Sequence, residues 1–152
     1  MRLLEMAVIK TLAFYGLVGV RSAEYPGVWV AGSGSSSGVG LDGEDGERGK
    51  EKKIASVGVR LRRHVSSYGI ALNMDTDLGW FKRIVACGLP GNRVTSMERL
   101  GVRVGGGVEE VVGVFEGVVA RLLSGVEGVR RIEEGEVLAL AEEGDKGMGE
   151  EG

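Results

Sequence analysis

The chain has 152 residues, 43% hydrophobic and 27% charged, with a net charge of −3, which fits one soluble globular domain around a single core. One cysteine and one histidine exclude an internal disulfide framework and a multi-cysteine zinc site, so no metal is expected, and no cofactor is expected either. Glycine reaches 28 residues against 2 prolines, so loops and tails take a large share.

The charge is uneven. Residues 133–152 hold eight acids and one base, a net −7, which leaves +4 on residues 1–132. A mildly basic body suits an acidic protein partner, or it is ordinary solvated surface. Neither a nucleic acid nor a membrane is expected as a partner. The first 23 residues have a basic start and apolar content, but Glu5 and Lys10 interrupt the apolar run. No stretch reaches the ~18 residues of a membrane span. Nor is the segment Arg-rich and acid-poor like a mitochondrial presequence. It reads as an amphipathic helix over 2–17, with Leu4, Val8, Leu12 and Tyr15 on one face and Gly16 as its stop.

A Pro-Gly turn and a short strand, Val28 to Ala31, follow in "YPGVWVAG". Residues 32–52 are Gly, Ser and charge, a low-complexity insertion that cannot bury enough apolar area to offset its ordering entropy. Its Gly-x-Gly pieces lack the Gly-Lys-Ser/Thr ending of a phosphate loop. "KIASVGVRL", 53–61, reads as one strand, with Ile54, Ser56, Gly58 and Arg60 on one face and Ala55, Val57, Val59 and Leu61 on the other. "HVSSYGIALNM", 64–74, returns beside it as the second arm of an antiparallel hairpin. Asp75 is placed to cap a short helical turn in "TDLGWFKRI", and Thr95 or Ser96 to cap another in "TSMERLG". Residues 108–125 are an amphipathic helix with an apolar stripe of Val108, Val111, Val112, Phe115, Val118, Val119, Leu122 and Leu123. Gly113 and Gly117 on that helix predict close approach to a neighbour. The acidic tail, 141–152, is expected to be disordered. Strands and helices are mixed, so the class is α+β (α/β mixed).

Cys87, in "RIVACGLPGNRVTSME", has two readings. A free cysteine after an apolar run is usually a small buried hydrophobe. A nucleophile needs a thiolate, hence a cationic or hydrogen-bonding neighbour such as His64 or a lysine. The following Gly88 would let backbone N–H groups approach an oxyanion.

"YPGVWV", "KIASVGVRLRRHVSSYGIALNMDTDLGWFKRIVACGL" and "VTSME", in that order and spacing, resemble the lipoyl(octanoyl) transferase family, also called lipoate-protein ligase B. The likeness runs over about residues 1–125, with its strongest motifs in 25–98, and the 32–52 insertion resembles one that fungal members carry. It implies the fold of biotin and lipoate protein ligases, a mixed sheet flanked by helices, over a domain of residues 1–140. It implies transfer of an octanoyl group from octanoyl-acyl carrier protein to a lysine of lipoyl domains, in 2-oxoacid dehydrogenases and the glycine cleavage H protein. In that reading Cys87 carries the octanoyl thioester. Lys53 favours the thiolate and shuttles protons. The backbone of Ser56, Val57 and Gly58, and of Gly69, Ile70 and Ala71, forms the acyl site. Lys52, the rival of Lys53, alternates to the opposite face. Arg60, Arg62, Arg63, Lys82 and Arg83 would form a docking patch for the acidic carrier. A monomer is expected, in mitochondria for a eukaryote.

The sequence departs from the family pattern at Ala86, where a proline often precedes the cysteine, and at Tyr68, usually histidine. The family's Arg-Gly-Gly and His-Gly-Pro-Gly-Gln segments have no counterpart, so the chain is expected to hold only the C-terminal half of the domain and to be poorly stable and weakly active or inactive alone. Two other readings stand beside the transferase. One is an inactive remnant or interaction module. The other is an ATP-dependent lipoate or biotin ligase, which has no need of the Cys87 thiol.

Overall fold

A computed structural model describes residues 2–31, 51–62, 65–67, 69–83 and 93–125. The 32–50 part of the insertion, His64, Tyr68, Cys87 and the acidic tail lie outside the described residues.

Helix α1, Arg2–Phe14, buries Ala7, Val8, Thr11 and Leu12, a stripe at helical spacing. The predicted Val8 and Leu12 lie in it. Thr11 is admitted to that apolar stripe because its hydroxyl donates to the Ala7 carbonyl at 2.9 Å. Gly16, at φ 76°, ends the helix. Its N–H donates to the Ala13 carbonyl and the Leu17 N–H to that of Leu12, both at 3.0 Å, which closes a Schellman motif.

The sheet has four strands in the order β1-β2-β3-β6. They are β1, Gly19–Arg21; β2, Val28–Val30; β3, Lys52–Val57; and β6, Ile70–Leu72. All three pairings are antiparallel. Among the described residues one parallel bridge, Lys53 to Val94, makes the sheet mixed. Strand β1 was not predicted; it is three residues long and carries no periodicity to read. Lys52 opens β3, so the insertion stops short of the 32–52 bounds read from composition.

The predicted 53–61 and 64–74 strands do form a hairpin, but each is divided. Strand β3 pairs with β6, while β4, Arg60–Arg62, pairs with β5, Val65–Ser67, as a separate two-stranded ribbon. The division falls at Gly58 and Gly69, where the Gly58 N–H still reaches the Gly69 carbonyl at 2.8 Å. Glycine weakens a strand interior at such a point.

A register shift between Val28 and Trp29 reassigns the faces of β3. Val28 and Val30 point into the core, so Trp29 between them points away from it. Lys53 pairs with Trp29 and shares its face. The bulge then leaves Ile54 and Ala55 both fully buried in the core. Beyond it, Ala55 pairs with Leu72 and Val57 with Ile70 on the core side, while Ser56 pairs with Ala71 on the outer side. Strict alternation had put Ser56 with Ile54. The structure puts Ser56 on the face of Lys53 instead.

Helices α1 and α2, Gly107–Leu122, cover the core face, where Val8, Leu12, Val28, Val30, Ile54, Ala55 and Met97 form the central cluster. A fully buried Leu12 or Ile54 stabilises the fold by about 1.5–3 kcal/mol. The Tyr15 hydroxyl donates to the Glu110 carboxylate at 3.2 Å and ties the two helices. Partial burial, then that contact, holds the phenol above its ordinary value.

On α2 the deep positions are Val111 and Val118, whereas Val108 is 62% exposed and Leu123 also lies at the surface. Close approach at the two glycines is not found. A Cβ on Gly113 would meet no described atom within 4 Å, and one on Gly117 only the Arg121 guanidinium at 3.8 Å. Gly113→Ala and Gly117→Ala are therefore each expected to stabilise the protein by about 1 kcal/mol. A lower urea midpoint in either variant would contradict this.

Asp77, not Asp75, caps the turn before the 3-10 helix Trp80–Arg83, accepting the Gly79 N–H at 2.8 Å. Of the two predicted candidates, Thr95 and Ser96, it is the Ser96 hydroxyl that accepts an N–H of the 3-10 helix Glu98–Leu100, that of Arg99 at 3.2 Å.

Candidate active site

Lys53 is only 7% exposed, an unusual state for a lysine. Its backbone is held on both sides. On one flank it pairs with Trp29 of β2. On the other its N–H donates to the Arg93 carbonyl at 2.7 Å, and its carbonyl accepts the Thr95 N–H at 2.9 Å. Asn73, just past β6, fixes that second flank. Its N–H donates to the Ile54 carbonyl at 3.0 Å, its side-chain amide to the Thr95 carbonyl at 3.1 Å, and its own carbonyl accepts the Met97 N–H at 2.9 Å.

The lysine amine lies 5.9 Å from the centroid of the Trp29 ring, and the Arg93 guanidinium carbon lies 5.2 Å from the same centroid. Each such contact contributes about 0.5–2 kcal/mol. Trp29 has no exposed surface; its indole N–H donates to the Tyr25 carbonyl at 3.3 Å, and the Tyr25 ring is 6.1 Å away.

Gly27 closes the other side of the lysine stem. A Cβ there would stand 2.7 Å from Lys53 Cε and 2.5 Å from the Ala55 carbonyl oxygen, and the residue holds φ 117°. Only glycine meets both conditions. The Gly27 N–H donates to Glu5 Oε1 of α1 at 3.1 Å.

Of the other predicted site residues, Ser56 and Ala71 are exposed on the Lys53 face, and Gly58 and Gly69 continue it with no described atom within 4 Å of a built Cβ. Val57 and Ile70 point to the core side, so only their backbone can serve that face. The structure thus brings Lys53, Ser56 and Ala71 to one sheet face. It leaves the Cys87 assignment outside the described residues. A separate apolar cleft of about 230 Å³, lined by Val8, Ile70, Leu72, Val111 and Phe115 among others, lies on the opposite, helix-covered face.

Within the predicted docking patch, Arg60 and Arg83 are exposed, and Arg83 stacks 5.1 Å from the centroid of Trp80, itself 65% exposed. The side chains of Arg62, Arg63 and Lys82 lie outside the described residues. Among the described residues no cluster of His, Cys, Asp or Glu could hold a metal ion. No described helix is long and apolar enough to cross a membrane.

Sequence reasoning missed Glu5, Gly27, Trp29, Asn73 and Arg93. The available signal was the Pro26-Gly27 pair, with Gly27 two residues before a tryptophan that alternation places opposite two valines.

Residues 1–116 match the lipoyl protein ligase A/B catalytic domain, and the chain belongs to that family. It is 44% identical over 102 residues to the octanoyltransferase of Solibacter usitatus, a match covering 67% of this chain and 37% of that protein. It is 38% identical over 109 residues to the octanoyltransferase of Caldanaerobacter subterraneus, covering 72% and 39%. To that of Acidothermus cellulolyticus it is 40% identical over 121 residues, covering 80% and 47%. The chain spans less than half the length of these curated relatives.

Proposed function

We propose that the chain transfers an octanoyl group from acyl carrier protein to a lysine of lipoyl domains through a thioester on Cys87. The observation that carries the reading is Lys53, a buried lysine held by its backbone on both flanks and facing the same side of the sheet as Ser56 and Ala71. Membership of the ligase family and the names of the relatives support it.

The chemistry is two acyl exchanges. In the first, the Cys87 thiolate attacks the carrier thioester, a new carbon–sulfur bond forms, the carrier's own carbon–sulfur bond breaks, and the carrier thiol leaves with the proton of the Lys53 ammonium, which becomes a neutral amine. An ammonium beside the cysteine favours the thiolate. In the second, the neutral amine of the acceptor lysine attacks the Cys87 thioester, an amide forms, and the cysteine sulfur leaves. The proton shed by the amine passes to Lys53, and the cycle resets. Splitting one transfer into two keeps each step a thioester or amine exchange of ordinary difficulty. Exposed Arg60 and Arg83 would meet the acidic carrier on this reading.

The test is intact-mass analysis after incubation with octanoyl-acyl carrier protein. One octanoyl adduct is expected on Cys87, absent in Cys87→Ser and discharged by an isolated lipoyl domain. A wild-type chain that gains no adduct, or a Cys87→Ser chain that gains the same one, would refute it.

A further inference from the structure

Glu5 interrupts an otherwise apolar run at the start of α1 and is half-buried, a costly place for a carboxylate without a purpose. Its Oε1 accepts the backbone N–H of Gly27 at 3.1 Å, from a residue 22 positions later in the chain. Gly27 in turn lies directly against Lys53, so close that one added carbon would stand 2.7 Å from Cε and 3.4 Å from the amine. We propose that Glu5 is a positioning residue for Lys53, acting through Gly27.

The logic is mechanical. The Ser22–Gly27 turn joins β1 to β2 and is otherwise fixed by the Ser22 hydroxyl, which accepts the Glu24 and Tyr25 N–H groups at 3.2 and 3.3 Å, and by the Trp29 indole N–H, which donates to the Tyr25 carbonyl at 3.3 Å. At the near end, Gly27 has φ 117°, a conformation that the bare backbone does not enforce, since glycine visits many. The Glu5 carboxylate selects it by accepting its N–H, a charge-assisted bond. With Gly27 so held, the lysine stem lies against the Gly27 backbone, with its amine 5.9 Å from the centroid of the Trp29 ring. Released, the turn no longer confines the stem, and the amine gains other positions. The assignment rests on Lys53 acting in the transfer proposed above, but its structural half can be read without any turnover.

The experiment labels the full chain with a small amine-reactive anhydride and follows each lysine by peptide mass. In Glu5→Ala the labelling rate of Lys53 is expected to rise about tenfold, the equivalent of one lost bond of about 1.4 kcal/mol. Lys52, the preceding residue of β3, and exposed Lys10 should keep their rates. Glu5→Gln, whose amide oxygen can still accept the Gly27 N–H, should stay within about twofold of wild type. Octanoylation of Cys87 should slow about tenfold in Glu5→Ala and recover in Glu5→Gln. An unchanged Lys53 rate in Glu5→Ala, or Lys52 and Lys53 rising together as the strand opens, overturns the proposal. If Lys53 labelling shifts as expected while wild-type Cys87 never takes up the octanoyl group, the positioning stands and the transferase reading falls.

Discussion

Replacing Lys53 by methionine is expected to slow octanoylation of Cys87 by about 10²–10⁴-fold, the range for losing a positioned proton-transfer group. The same change should move stability by no more than about 1 kcal/mol. Two effects of similar size oppose each other. The ammonium loses its favourable contacts, among them that with the Trp29 ring, worth about 0.5–2 kcal/mol. Against that, a 7%-exposed charge no longer has to be kept out of water. Methionine keeps an unbranched stem against Gly27, and its sulfur is a favourable neighbour for an aromatic ring. It is a better probe than alanine, which would leave a void along the same path. The measurement pairs adduct formation by mass with a urea titration. A Lys53→Met rate within about threefold of wild type would remove Lys53 from the proton path. A large fall in the urea midpoint would instead make its role structural. Lys52, half-buried and one residue earlier, gives the matched control: Lys52→Met should leave the rate within about twofold.

The two helices were legible because their signal is long. Val8 and Leu12 in α1, and Val111 and Val118 in α2, recur at helical spacing and are buried as that spacing requires. The strand faces were legible only as far as alternation held. One register shift opposite Val28 put Ile54 and Ala55 on the same side and turned Ser56 to the other, and no local residue announces such a bulge. The hairpin was read correctly in direction, yet its division at Gly58 and Gly69 needed the observation that β6 pairs with β3 while β5 pairs with β4. Gly113 and Gly117 misled because glycine spacing on a helix suggests contact, whereas among the described residues a Cβ on Gly113 meets nothing and one on Gly117 meets only Arg121.

The site divides in the same way. Lys53 and Cys87 were proposed from family resemblance, not from any periodicity. What surrounds Lys53 could not be read at all, because Glu5, Gly27, Trp29, Asn73 and Arg93 come from four separate parts of the chain. They meet only through pairings such as Trp29 with Lys53 and Lys53 with Arg93, which depend on tertiary register. Asp75 against Asp77 is a smaller instance: either aspartate suits a cap, and the backbone path alone selects the one two residues before Gly79.

Trp29→Ala is expected to have the largest effect on stability, a loss of about 3–5 kcal/mol. Among the described residues Trp29 is the largest side chain with no exposed surface, and it touches several parts of the fold. It pairs with Val20 of β1 on one side and Lys53 of β3 on the other. Its indole N–H holds the Tyr25 carbonyl at 3.3 Å, and its ring meets both the Lys53 amine and the Arg93 guanidinium. Alanine removes the apolar volume and leaves two cations facing a cavity without their aromatic partner, so the cost lies toward the upper end of that range. Domains of this size have only about 5–15 kcal/mol in total. The variant should therefore show a broad, non-cooperative urea transition by circular dichroism, or none. Trp29→Phe separates the two contributions. It keeps an aromatic face for both cations and loses the bond to the Tyr25 carbonyl along with part of the volume, so about 1–2 kcal/mol is expected. If Trp29→Ala lies within about 1 kcal/mol of wild type, the tryptophan is not the centre of that face. If Trp29→Phe costs as much as alanine, the indole N–H and the shape of its larger ring matter more than the aromatic face that Lys53 and Arg93 share.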